Sequence, residues 1–217
     1  MISAILLAAG QSRRMGQPKM LLPWGKVSVL EHVISVFTMA GIEDILVVTG
    51  AVHEHIERSV AKYGEQYPVR IVHNQNYLHG EMLSSLQCGL RILLSPPLHH
   101  AGRETAAALV GLGDQPQVQE GSVRLICEAF MQTKGLLVVP SFQMRRGHPW
   151  LVARPLWEDL FEMHPPESPR DFLNRHADDI HYVNVDTSSI LADLDTPDDY
   201  RASHPPEQFT KNSSASE

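Results

Sequence analysis

The chain of 217 residues is short of cysteine, of cations relative to anions, and of long apolar runs, and each shortage excludes a class of protein. Its two cysteines, Cys88 and Cys127, are too few for a Cys-rich zinc site or a disulfide framework, and they suit a reducing cytoplasm. Eighteen Lys+Arg against 25 Asp+Glu leave a net charge of −7. That balance opposes broad binding to nucleic acid, which needs a surplus of cations on one face. No apolar run approaches the roughly 20 residues of a membrane-spanning helix. Residues 2–9 are apolar, but Arg13 and Arg14 follow them, whereas an export signal carries its cations first. Known ligand motifs are missing too. There is no Gly-Lys-Ser/Thr of a Walker A loop, Gly10 and Gly16 do not make GxGxxG, and the twelve histidines contain no HExxH.

What is present is the composition of a globular domain, 43% hydrophobic and 20% charged. Residues 2–9 form a continuous apolar run ending at Gly10, the pattern of a strand buried on both faces. Ser28 with Glu31 three positions on is a capping-box signal for a helix over 29–40, closed by Gly41. Strands are then predicted over 44–49, 69–73, 105–112 and 136–140, alternating with helices over 52–62, 81–94 and 120–133. Residues 142–149 read as a loop and 150–153 as a strand. Helices are predicted over 155–164 and 169–176, strands over 180–185 and 190–194, and a last helical turn over 196–202. This alternation predicts an α/β fold, Rossmann-like and three-layered, with a mainly parallel central sheet. Residues 1–202 read as one domain, with a ligand-binding half over 1–116 and a second half over 117–202. Residues 203–217 hold one large apolar residue, Phe209, and read as a disordered tail.

The loop after the first strand concentrates cations. Residues 7–22 read LAAGQSRRMGQPKMLL, placing Arg13, Arg14 and Lys19 in a Gly-containing loop at the carboxyl end of a strand. Such a loop suits a polyphosphate, because glycines let a ligand approach the main chain and cations balance its charge. Asp114 follows an apolar strand, as Asp195 is expected to do, so two distant carboxylates can converge on one hard cation such as Mg2+. Taken alone, Asp114 also fits a turn before Pro116, and Asp195 the cap region of the helix containing Pro197.

The string LAAGxSxRMGxxKxLL resembles the signature of nucleotidyltransferases related to the molybdenum-cofactor transferases. Four more segments agree in order: Asn74 with Gly80, Ser84 and Ser85; GLGDQP at 111–116; Arg146-Gly147-His148-Pro149; and DLDTPDD at 193–199. The resemblance spans about residues 3–202. It implies that Arg14 and Lys19 contact the phosphates of an incoming nucleotide, while Leu7, Ala8, Ala9 and Gly10 read the base. It implies that Asn74, Gly80 and Ser85 close around base and ribose, and that Asp114 holds catalytic magnesium. Asp195 is the implied second ligand, with Asp193 its competitor. Arg13 matches no fixed position and reads as a surface charge.

The resemblance also implies a substrate pair. Relatives with Ala-Ala-Gly, as in Ala8-Ala9-Gly10, look like cytidylyltransferases, whereas guanylyl-transferring relatives tend to carry Ala-Gly-Gly. The implied reaction is Mg2+-dependent transfer of CMP from CTP to the molybdenum cofactor, with Arg14, Lys19 and Asp114 carrying the chemistry. Gly147 and His148 would border the acceptor pocket, and no general base is required. The family's small residues before the closing helix are replaced by Glu167-Ser168-Pro169, so Arg170 either reaches the acceptor phosphate or is an exposed helix residue. The implied partner is a molybdoenzyme or its chaperone, in the cytoplasm. Rival readings are transfer from another NTP, transfer to a phosphorylated sugar or isoprenoid precursor, or an NAD(P)-linked or cofactor-binding protein on the same fold.

Overall fold

The computed structural model describes residues 1–61, 69–79, 81–95 and 103–205. In chain order the elements are β1 (Ile2–Ala8), β2 (Pro23–Trp24), β3 (Val27–Ser28), α1 (Val29–Met39), β4 (Ile45–Thr49), α2 (His53–Ala61) and β5 (Val69–His73). Then follow α3 (Glu81–Leu93), β6 (Ala107–Leu112), α4 (Glu120–Thr133), β7 (Leu137–Phe142), β8 (Arg145–Arg146) and β9 (Trp150–Ala153). The chain continues through α5 (Trp157–Glu162), α6 (Pro169–Arg175), β10 (Ile180–Asn184) and α7 (Pro197–Ser203). One eight-stranded sheet runs β10-β7-β9-β6-β1-β4-β5, with β8 paired to β7 off that path. The β2–β3 pair forms a separate hairpin.

The apolar runs become buried strands because both sheet faces are covered. Alternate residues of a strand point to opposite faces. In β1, Ala4, Leu6 and Ala8 join one core cluster with α1, α2 and α4, through residues such as Val33, Phe37, Ile56 and Ile126. Ile5 and Leu7 enter the other cluster, built on Leu86 and Leu90 of α3, Trp157 of α5 and Phe172 of α6. The result is three layers. Each fully buried Leu, Ile or Phe in these clusters contributes about 1.5–3 kcal/mol relative to exposure. Local signals agree with the packing: Ser28 and Glu31 form the expected capping box, and the second oxygen of Glu31 accepts from Ser59 Oγ at 2.8 Å, fastening α2 to α1.

The pairs β1–β4, β1–β6, β4–β5 and β7–β10 are parallel. β9 departs from that pattern, lying antiparallel between β6 and β7. Two expectations need correction. Residues 142–149 are not all loop, since β8 pairs antiparallel with the end of β7. Residues 190–194 are not a strand. A 3-10 helix covers Ser188–Leu191, started by Thr187 Oγ1 accepting from Ser189 N at 3.2 Å. Its Ile190 carbonyl accepts from His148 N at 2.9 Å instead of joining a ladder. Of the expected tail, residues 203–205 are described, with Ser203 ending α7, and 206–217 lie outside the described residues.

Candidate active site

β1 is the point where the sheet reverses its order: β4 and β5 follow on one side, and the chain returns on the other with β6. The crevice outside the carboxyl ends of such neighbouring strands is where α/β sheets bind ligands. The loop after β1 and the loop after β6 meet there, joined by Gly113 N donating to Leu7 O at 3.0 Å. An open cleft of about 640 Å³ occupies this position.

The loop over 9–18 is folded by its own residues. Ser12 adopts a left-handed φ of 51°, and its carbonyl accepts from Met15 N and Gly16 N at 3.0 and 3.2 Å. Its hydroxyl accepts from Lys19 N at 3.2 Å, which fixes the start of the 3-10 helix Lys19–Leu21. Met15 is buried with Leu22, Trp24, Val29 and Leu194. That apolar cluster places the residue before Met15 next to the residue after Leu194. Arg14 and Asp195 accordingly form an ion pair, with Arg14 Nη2 2.9 Å from Asp195 Oδ2. Leu194 N also donates to Asp114 O at 3.2 Å, so one segment delivers Asp195 to the edge where Asp114 emerges from β6. Asp195 therefore reaches the site through hydrophobic anchoring, not through a strand end.

Lys19 joins the two carboxylates. Its ammonium pairs with Asp114 Oδ2 and lies 3.4 Å from Asp195 Oδ1. Burial opposes the Lys19 charge, but Asp114 and Asp195 more than offset it and hold its pKa above the usual lysine value. Burial pushes the Asp114 carboxyl above the usual carboxylate range; Lys19 pulls it back and the nearby Asp193 pushes further. Asp193 itself accepts from Gln115 Nε2 at 2.5 Å, and Gln115 is buried. Two carboxylates converging on one cation-sized seat make a hard oxygen donor pair. Among the described residues no group of three or more His, Cys, Asp or Glu is gathered to hold a metal. A sparse carboxylate set suits Mg2+, which keeps several waters and takes one or two carboxylates plus substrate phosphates.

The cleft wall includes Leu7, Ala9, Gly10, Arg14, Lys19, Ser85, Asp114 and Asp195, together with Arg13 and Asp193. Other expected residues stand elsewhere. Ala8 is buried beneath the wall, and Gly80 lies outside the described residues. Asn74 is buried and acts as a tie: its Nδ2 donates to Ser84 and Ser85 Oγ at 2.9 and 3.0 Å, and its Oδ1 accepts from Asn76 N. Gly147 packs on the loop that delivers Asp195, where a Cβ would stand 2.4 Å from the Ile190 carbonyl oxygen. His148 is half-buried behind the site, and burial drives its pKa down to about 4 against a smaller opposing pull from Asp114. Arg170 is exposed at the start of α6 and is not part of the cleft wall. Sequence reasoning passed over Tyr77, Leu78 and Met82, which line the cleft. The only signal for them was apolar side chains beside the Asn74 turn.

At the switch point of this mostly parallel sheet, a Gly-containing loop carrying cations meets an acidic pair. Residues 4–180 match the model of the MobA-like NTP transferase domain, and the chain belongs to that family. The molybdenum cofactor cytidylyltransferase of Escherichia coli K12 is 28% identical over 199 residues, which cover 92% of this chain and 93% of that one. The crystal structure of Rv0371c from Mycobacterium tuberculosis H37Rv superposes with a TM-score of 0.75 at 26% identity, covering 93% of this chain and 95% of that one. A nucleotidyl transferase from Methanothermobacter gives 0.74 at 23% identity over 94% and 96%, a likeness of fold. Among the described residues no helix is long and apolar enough to cross a membrane.

Proposed function

We propose that this nucleotidyltransferase transfers CMP from CTP to the terminal phosphate of the molybdenum cofactor. The observation that carries the reading is the joining of Arg14, Lys19, Asp114 and Asp195 in a cleft that Leu7 and Ala9 also line. The similarity to the Escherichia coli cytidylyltransferase supports the choice of nucleotide and acceptor. Residues 1–116 would supply the nucleotide site and 117–202 the acceptor side within a single domain.

In this reading a phosphate oxygen of the acceptor attacks the α-phosphorus of CTP in line. The bond from that phosphorus to the bridging oxygen breaks, and pyrophosphate leaves with the electron pair. The attacking phosphate is already ionised, so no side chain has to remove a proton. Arg14 and Lys19 hold the phosphates and offset the charge that develops on them. The backbone from Leu7 to Gly10 orients the base, and Ser85 lines the same cleft. Asp114 and Asp195 would hold Mg2+, which supplies charge neutralisation on phosphate oxygens when bound. Lys19 exchanges its carboxylate partners for the triphosphate as the nucleotide enters. Gly147 and His148 shape the back of the site, while Arg170, exposed on α6 and outside the cleft wall, takes no part in holding the nucleotide. The product passes to a molybdoenzyme or its chaperone in the cytoplasm.

Pyrophosphate release tests the reading, with CTP, GTP, ATP or UTP offered alongside Mg2+ and either molybdenum cofactor or a sugar or isoprenoid phosphate. CTP with molybdenum cofactor is expected to be fastest, and Asp114→Asn to lose the activity. Faster release with GTP, or an unaffected Asp114→Asn enzyme, contradicts it.

A further inference from the structure

The cleft is lined by two chemical kinds of side chain. Arg14, Lys19, Asp114 and Asp195 are charged and joined by ion pairs, and Leu7, Ala9, Tyr77, Leu78, Met82 and Leu112 are apolar or aromatic. A nucleoside triphosphate suits such a lining, its phosphates meeting the charged side chains and its flat base the apolar ones.

Tyr77, one of the apolar group, sits in a seat made by a glycine. Gly50 follows β4, and a Cβ on it would stand 2.6 Å from the Ala9 carbonyl oxygen and 2.8 Å from Cγ of Tyr77. Both distances are shorter than a Cβ can sustain, so the absence of a side chain at Gly50 leaves room for the Tyr77 ring and the Ala9 carbonyl to pack close to its backbone. The ring has an aromatic neighbour. His73 lies 6.3 Å from it, centroid to centroid, and stacks on His53 at 4.5 Å with nearly parallel planes. His53 Nδ1 is in turn 2.8 Å from Thr49 Oγ1. The turn carrying Tyr77 is tied down as well, with Tyr77 N donating to Asn74 O at 3.3 Å while the Asn74 side chain binds Ser84 and Ser85. A ring fixed from several directions does not yield readily to a larger ligand.

We propose that Tyr77, seated by Gly50, sets base size in this cleft: its ring takes the room that the second ring of a purine would need and leaves space for a pyrimidine. The assignment rests on the cytidylyl reading above and adds a residue that decides it. Tyr77 touches the base and not the reacting phosphorus, so it is a specificity residue, acting on nucleotide binding before chemistry.

The test is equilibrium binding of CTP and of GTP, each with Mg2+, to the full chain and to Tyr77→Ala, Tyr77→Leu and Tyr77→Phe, with thermal melts to establish folding. The wild-type chain is expected to favour CTP. Tyr77→Ala is expected to reduce the CTP/GTP affinity ratio about tenfold, mainly by tightening GTP, within the range that one pocket shape change supplies. Tyr77→Leu is expected to move the ratio in the same direction by less, and Tyr77→Phe to preserve it. A wild-type preference for CTP that stays the same in Tyr77→Ala and Tyr77→Leu overturns the role of Tyr77 and leaves the cytidylyl reading standing. A wild-type preference for GTP overturns both.

Discussion

Lys19 forms an ion pair with Asp114 in which both side chains are largely withdrawn from water, at 11% and 14% exposure. The same ammonium reaches Asp195, so it occupies the seat on which both carboxylates converge. Lysine and a divalent cation therefore compete for one set of oxygens. Lys19→Met is expected to tighten Mn2+ binding about tenfold in the absence of nucleotide, read by electron paramagnetic resonance. The same variant is expected to lose about 100-fold or more in turnover, because a charge facing the developing negative charge is gone. Unchanged Mn2+ affinity contradicts the shared seat.

The two candidate second ligands separate by their partners. Asp195 is paired with Lys19 and Arg14, cations of the segment after β1, whereas Asp193 is engaged by the Gln115 side chain. Asp195→Asn is expected to weaken Mn2+ binding in the presence of CTP by more than Asp193→Asn does. Titration calorimetry on both variants reads the order, and the reverse order makes Asp193 the ligand.

Far from the cleft, Arg70 on β5 forms a two-pronged ion pair with Asp44, at 2.9 and 2.8 Å, and Asp44 is only 3% exposed. Arg70→Met leaves that carboxylate buried and unpaired, with an expected cost of about 3 kcal/mol. A urea melt should show the midpoint fall with little change in slope. Nucleotide specificity should not change.

Much of this architecture is legible in residue order because its signals are local. The runs that became β1 and β4 are apolar on both faces, and the Ser28 and Glu31 box marks the start of α1. Arg14 and Lys19 lie in the segment that follows β1 and Asp114 just beyond β6, the strand ends where the fold class alone puts ligands. Other features depend on contacts remote in sequence. Nothing in Trp150-Leu151-Val152-Ala153 says that it inserts antiparallel between β6 and β7. The apolar stretch before Asp195 reads as a strand, yet Ile190 is committed to His148 and Gly147, and Leu194 to Met15. Tyr77 enters the cleft through a contact with Gly50, 27 positions earlier, which no motif records.

His148 sets a pH dependence of stability. Its pKa falls from 6.5 to about 4 on folding, so between those values the unfolded chain binds a proton that the native chain does not. Stability is therefore full above pH 6.5 and is lost as pH drops toward 4, by at most roughly 3 kcal/mol from this group. Urea melts of wild type and His148→Gln at pH 7 and 4.5 check the sign. The difference between the two pH values should be smaller in the variant, and an equal difference in both contradicts the assignment.

Mass spectrometry of the product tests the central proposal most directly. The full chain would be given Mg2+, molybdenum cofactor and an equimolar mixture of CTP, GTP, ATP and UTP. The expected product is the cytosine dinucleotide form of the cofactor, formed with pyrophosphate and absent with Asp114→Asn. A guanine dinucleotide, or nucleotide turnover seen only with a different phosphorylated acceptor, contradicts it.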